Sequence, residues 1–349
     1  MKKSIERLAG DTEGLSYEFP VYRFEGGDPA APGAYLQAAL HGNEMPGAAA
    51  IHALMPLLRE AEAEGRIRGA VTIVPWANPI GRSEYFSGDV QGRFHIATRT
   101  NFNRDFPLVK RPDAAELPGE DGLETVDRRL KARLLALSLG HEIVLDLHCD
   151  DEGVAYLYVP EALWPAMEDC AAAMGVDAVI LWGGSSGASF DEASVHPHLA
   201  AGGELSRIVV STVEFRGRAD VGRETAENDA RGLYRLLAGR GVIADEDVRP
   251  SGGFRGVVAP IDHVEMMPSP RAGFVLYDVV PGDRVEKGQR LATVVHAPGE
   301  EQGATDILAP QAGYIMTRRA CRQVRAHEDL LKLVGGQPSA SAKAGALED

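Results

Sequence analysis

Between residues 17 and 237 the sequence alternates short apolar runs with stretches that carry a helical period, and few folds accommodate that rhythm. The runs at 17–25, 34–41, 70–75, 142–147, 154–159, 178–181 and 207–213 predict strands, most of them buried on both faces. Helices are expected at 48–63, where Ile51, Leu54, Leu57 and Leu58 share one face, and at 123–139, where Gly140 stands ready to stop the helix. Two more are expected at 161–174 and 224–237. Strands alternating with helices predict an α/β sheet covered on both faces. Ligands in such sheets bind beyond the carboxyl ends of the strands, so the residues that terminate each run are the first candidates for chemistry.

After residue 244 the texture changes. Residues 250–335 are dense in Gly, Pro and Val and lack a helical period, which predicts a small all-β domain behind an α/β domain spanning 1–245. The low-complexity stretch 336–349 is expected to be a disordered tail. Within the β domain, Pro281-Gly282-Asp283-Arg284-Val285-Glu286-Lys287-Gly288 and Ala309-Pro310-Gln311-Ala312-Gly313 resemble the two halves of a biotinyl/lipoyl-like barrel. A carrier domain needs a lysine between those halves, yet residues 294–308 contain none, so Lys287 reads as a solvated turn residue. The formal net charge of −15 disfavours nucleic acid as a partner. No run of eighteen apolar residues is present, so no membrane partner is expected. Lys2 and Lys3 are not followed by an apolar segment, and Cys149, Cys170 and Cys321 are scattered, so a reducing, cytoplasmic location is expected.

Four short motifs stand at the predicted strand ends or in the longest loop. His41-Gly42-Asn43-Glu44 places an imidazole and a carboxylate one turn apart, a pairing suited to zinc. With ten histidines in the chain, about one such pair arises by chance, so a third ligand is required. His148, directly after the run 142–147, completes a set of two histidines and one carboxylate, the ligand count of a catalytic zinc site. Taken alone His148 is more often a hydrogen-bonded core residue. Asp146 shares its strand face and is placed to orient it, with Asp150 and Asp151 as alternatives from the loop, whereas Cys149 points to the opposite face. Glu214 ends the run 207–213 and suits a general base beside a metal-activated water, although a solvated strand end gives the same pattern. Within the irregular segment 79–121, Asn103 and Arg104 can grip a carboxylate; for any one arginine a surface ion pair is the simpler reading.

Taken in order, His-x-x-Glu, Asn-Arg-x-Phe, Asp-Leu-His and Val-Glu resemble the succinylglutamate desuccinylase/aspartoacylase family, over roughly residues 15–240. The resemblance implies a zinc carboxypeptidase-like fold, a mixed sheet flanked by helices, followed by a small β domain. It also implies that His41, Glu44 and His148 bind one Zn2+, that Glu214 is the general base, and that Asn103 and Arg104 hold the substrate carboxylate. One departure stands out. Aspartoacylase-like members carry a second arginine eight residues before the motif arginine, to polarise the scissile carbonyl, and here that position is Ile96. Arg93 is the favoured substitute, with Arg99 the alternative. The expected activity is zinc-assisted amide hydrolysis of an N-acyl amino acid or a related small carboxylate-bearing amide. A zinc carboxypeptidase acting on peptide C-termini, or a non-catalytic binding protein using the same pocket, are the competing readings. For the β domain, capping the pocket and mediating a homo-oligomer are both open.

Overall fold

One nine-stranded mixed sheet organises the molecule, seen in a computed structural model that describes residues 1–119, 125–249, 252–340, 342 and 347. Its first strands are β1 (Lys2–Ala9), β2 (Ser16–Phe24), β3 (Ala34–Ala38) and β4 (Val71–Val74). A two-stranded hairpin, β5 (Tyr85–Phe86) and β6 (Asp89–Val90), stands apart from the sheet. Then come β7 (Ile143–Asp150), the short β8 (Glu152–Gly153), β9 (Ala155–Pro160), β10 (Ala178–Trp182), β11 (Val209–Gly217) and β12 (Val257–Pro260). The order across the sheet is β1-β2-β4-β3-β7-β11-β9-β10-β12. Strands β4, β3, β7 and β11 run parallel, so their carboxyl ends meet at one edge, while β9 is antiparallel to β11.

Helices α1 (Pro46–Ala63), α4 (Glu168–Met174) and α6 (Arg223–Gly239) pack together on one face, and α3 (Val126–Ser138) and α5 (Phe190–Ala201) cover the other. A five-residue helix, α2 (Pro79–Ser83), follows β4. Covering both faces explains β7, whose seven residues Ile143 to Cys149 are all buried.

Several boundaries differ from expectation. The strand leading to His41 stops at Ala38, because Ala39 adopts φ +58° and turns the chain before the histidine. The helix expected at 161–174 is broken: a 3-10 turn at Glu161–Leu163 is followed by Trp164-Pro165, and α4 starts only at Glu168. Proline disfavours helical geometry in the residue before it, and that interrupts the run. The edge strand β1 and helix α5 were not expected. In β1 charged residues alternate along an exposed edge, and α5 carries Pro197 and two histidines that blur its period. The irregular segment 79–121 contains α2, the hairpin, and a 3-10 turn at Ala114–Glu116. Leu123, the expected start of the second helix, residue 250, the expected start of the β domain, and residues 341, 343–346, 348 and 349 of the tail 336–349 lie outside the described residues.

The remaining strands are β13 (Val264–Pro268), β14 (Gly273–Tyr277), β15 (Arg284–Val285), β16 (Arg290–Val295), β17 (Ala304–Leu308), β18 (Gly313–Arg318), β19 (Gln323–Val324) and β20 (Asp329–Gly335). They form two antiparallel sheets, β13-β20-β18-β15 and β17-β16-β14-β19. The seam with the large sheet is crossed twice. β12 extends the large sheet beside β10, and β8 pairs with β18 in the other direction. A shared apolar cluster, including Tyr156, Ile180, Ala259, Val264 and Met316, fills the junction.

Candidate active site

Register across the parallel strands builds the site. Gln37 on β3 pairs with Asp146 on β7, which pairs with Thr212 on β11; His148 pairs with Glu214 two residues further on. Alternation along each strand therefore puts Tyr35, Gln37, Asp146, His148, Thr212 and Glu214 on one face. Glu44 reaches this edge from the loop before α1. Its approach depends on Gly47: a Cβ there would sit 2.6 Å from the Cβ of Leu147, so the helix could not lie this close to β7.

Three predicted metal ligands meet. The candidate ligand atoms of His41, Glu44 and His148 all lie within 4.8 Å of one another, and all three residues are buried. Nδ1 of His41 lies 2.8 Å from Glu44 Oε1, and Nδ1 of His148 lies 2.8 Å from Glu44 Oε2. The opposite ring nitrogens are committed elsewhere. His148 Nε2 is 2.8 Å from Asp146 Oδ2, and His41 Nε2 is 3.0 Å from Asn101 Oδ1. Both partners are acceptors, so a neutral ring that keeps its hydrogen on Nε2 for them leaves the Nδ1 lone pair facing the Glu44 carboxylate. Acceptor facing acceptor at 2.8 Å repels unless a proton or a cation lies between. This donor set fits a metal ion.

Behind the ligands the polar groups continue inward. Gln37 Nε2 donates to Asp146 Oδ1 at 3.0 Å, and the Tyr35 hydroxyl donates to Gln37 Oε1 at 2.8 Å. This chain fixes Asp146 and through it the ring of His148. Without a metal the charges distribute in opposite directions. Burial opposes the charged form of His148, but Asp146 and Glu44 outweigh it and hold the imidazole well above its ordinary range. Burial lowers His41, Glu44 acts against it, and Arg93 adds to the lowering. Glu44 resists burial and lies well below the usual carboxylate range because His41 and His148 flank it.

Glu214 is different. Burial, opposed by His148 and reinforced by Glu44 and Asp150, pushes its carboxyl up to about 8. Its Oε2 is sealed from water and has no hydrogen-bond partner among the described residues. A cation at the neighbouring triad would bring that value down.

His41, Glu44, His148 and Glu214 border a cavity of about 560 Å³. Arg93 and Arg104 also line it, as does Asn103, whereas Arg99 is exposed and outside the lining. Arg104 Nη1 donates to the Asn103 carbonyl at 2.7 Å, and Asn103 Oδ1 accepts from the Phe190 amide at 2.8 Å. Cys149 is buried and is not among the converging ligand atoms; its backbone N–H donates to Glu44 Oε2 at 3.3 Å. The opposite wall comes from the C-terminal strands, where Lys332 Nζ donates to Asp150 Oδ2 at 2.6 Å. Asn101, Asp191 and Lys332 escaped the reading of the sequence. Asn101 lies two residues before Asn103, and its short amide was the available signal; nothing local marks the other two.

Residues 30–240 match the family model described as the succinylglutamate desuccinylase/aspartoacylase catalytic domain. No curated protein matches the chain. Among solved structures, a protein of Shewanella amazonensis SB2B described under that family name aligns at 26% identity and a TM-score of 0.83, covering 96% of this chain and 99% of the other. One of Shewanella frigidimarina NCIMB 400 under the same name also aligns at 26% identity with a TM-score of 0.83, over 97% and 99% of the two chains. The ectoine utilization protein EutE (DoeB) of Ruegeria pomeroyi shares the fold at 20% identity and a TM-score of 0.68, over 94% of each chain. The match over residues 30–240, more than half of the sequence, shows that this chain belongs to the succinylglutamate desuccinylase/aspartoacylase family.

Proposed function

We propose that this protein is a zinc-dependent hydrolase that cleaves the amide bond of an N-acyl amino acid or a related small carboxylate-bearing amide. The observation that carries the reading is the pair of imidazole Nδ1 atoms turned onto one buried carboxylate, with a second carboxylate in register beside them whose Oε2 has no hydrogen-bond partner among the described residues. His41, Glu44 and His148 would hold one zinc ion per chain. When bound, zinc supplies Lewis acidity, polarising a carbonyl and making water easier to deprotonate. Glu214 takes the proton of the attacking water and returns it to the leaving amine, a role suited to a carboxylate whose Oε2 has no hydrogen-bond partner among the described residues. Arg93, beside His41, is the cationic group available to the carbonyl oxygen as charge develops there. Asn103 and Arg104 hold the substrate carboxylate.

Residues 1–245 act in this reading as the catalytic domain and 250–335 as a biotinyl/lipoyl-like β domain that caps the pocket. A cavity of about 560 Å³ supports a small-molecule substrate. The test is hydrolysis of a panel of N-acyl amino acids by zinc-loaded protein, with and without a chelator, beside Arg104→Ala. Zinc-dependent turnover is expected, with Arg104→Ala losing roughly two to three powers of ten in kcat/KM on carboxylate substrates and far less on their carboxamides. Cleavage of peptide C-termini in preference to N-acyl amino acids would overturn the reading.

A further inference from the structure

Arg104 has a long, flexible side chain, and a loop whose shape rests on one distant carboxylate backs it. The loop 183–189 joins β10 to α5. Within it Ala188 adopts φ +53°, a left-handed conformation that costs a non-glycine residue energy and persists only where neighbours enforce it. The enforcing group is Glu192, buried in the first turn of α5. Its Oε2 accepts from the Ser186 amide at 2.7 Å, the Ser186 hydroxyl at 2.9 Å and the Ala188 amide at 2.8 Å. The sequence Ser189-x-x-Glu192 has the form of a helix capping box, but the carboxylate reaches past the cap residue to gather the loop instead.

The folded loop is then latched to the segment carrying Arg104. The Gly187 carbonyl accepts from Asp105 N at 2.9 Å, and the Ala188 carbonyl accepts from Phe106 N at 2.8 Å. A Cβ on Gly187 would lie 3.0 Å from Arg104 Cδ, so the loop backbone forms the surface against which the arginine stem lies. Asp105 is itself at φ +57°, so two left-handed turns hold each other in place.

We propose that Glu192 is a positioning residue for the carboxylate subsite: it shapes the loop that fixes the stem of Arg104, and so sets affinity for the substrate carboxylate without touching the reacting atoms. This rests on Arg104 binding that carboxylate, as proposed above.

The test compares Glu192→Asp, which keeps the charge but shortens the reach, with Glu192→Gln, which keeps both reach and an acceptor oxygen. The probes are the best N-acetyl amino acid of the panel and its carboxamide. Glu192→Asp should raise KM for the acid by roughly tenfold or more, the scale of leaving buried N–H groups without an acceptor, with kcat changed little. The carboxamide should be almost unaffected, and Glu192→Gln should recover most of the loss. Hydrogen exchange of the Ser186 and Ala188 amides should accelerate in Glu192→Asp and stay near normal in Glu192→Gln. In an Arg104→Ala background Glu192→Asp should add nothing. Normal KM and normal exchange in Glu192→Asp, or equal losses on acid and carboxamide, would overturn the role of Glu192. If Arg104→Ala itself fails to separate acid from carboxamide, the subsite assignment falls, and this inference with it.

Discussion

The two sides of the cavity are built on different principles. The floor belongs to the large sheet, where His148, Thr212 and Glu214 line the cavity from two adjacent parallel strands, with Tyr35, Gln37 and Asp146 behind them, all set by register. The opposite wall belongs to the C-terminal strands and is fastened by ion pairs between residues far apart in the chain. Lys332 meets Asp150, while Arg318 and Arg322 both meet Glu152. On the floor the buried Oε2 of Glu214 has no hydrogen-bond partner among the described residues, and in the proposed reading it stands where a base is needed. In the wall the charges pair with the floor's own outer residues and join the two regions. In the proposed reading, chemistry therefore sits on the sheet and enclosure on the assembled wall.

Separating the two should give losses of different kinds. The largest belongs to the floor. Glu214→Gln keeps size and most hydrogen bonding but removes the proton acceptor, so kcat should fall by roughly 10²–10⁴-fold while zinc content stays normal. The wild-type rate should rise with pH as Glu214 ionises, because only the carboxylate accepts a proton. That limb, at or below about 8, should disappear in the variant. Near-normal turnover would remove Glu214 from the mechanism. Loss of zinc instead would make it a ligand.

His148→Ala should empty the metal site, read directly as metal per chain, with circular dichroism little changed. Normal zinc in that variant would break the assignment. In the wall, Lys332→Met leaves Asp150 facing the seam without its cation. Losing one member of a buried pair costs on the order of 3 kcal/mol, so urea denaturation should show a clear loss of stability. Activity at low temperature should survive, since Lys332 holds the wall and not the reacting atoms. A fall in kcat with unchanged stability would move Lys332 into the chemistry. The smallest effect is expected behind the floor. Asp146→Ala frees the His148 ring and should weaken zinc binding by roughly 10–100-fold, measured by competition with a chelator. Unchanged affinity would mean that packing alone orients the ring.

Much of this was written in local sequence. Apolar runs gave the central strands because a strand covered on both faces must be apolar throughout, and the polar intrusions at Asp146 and His148 were conspicuous for that reason. His41, Glu44, His148 and Glu214 were legible because strand ends are where an α/β sheet presents side chains to a ligand. Even the partnership of Asp146 with His148 followed from two-residue alternation. The tertiary structure decided what depends on contacts distant in the chain. It placed Arg93 and not Arg99 on the cavity, because the fold of the loop, not its composition, aims a side chain inward. It brought Asn101 to His41 and Glu192 to the loop behind Arg104, joined β12 to the large sheet, and set Lys332 against Asp150 across 182 residues. Periodicity reports how a segment buries its own faces. Which segments then meet depends on packing the whole chain, and no local pattern encodes that.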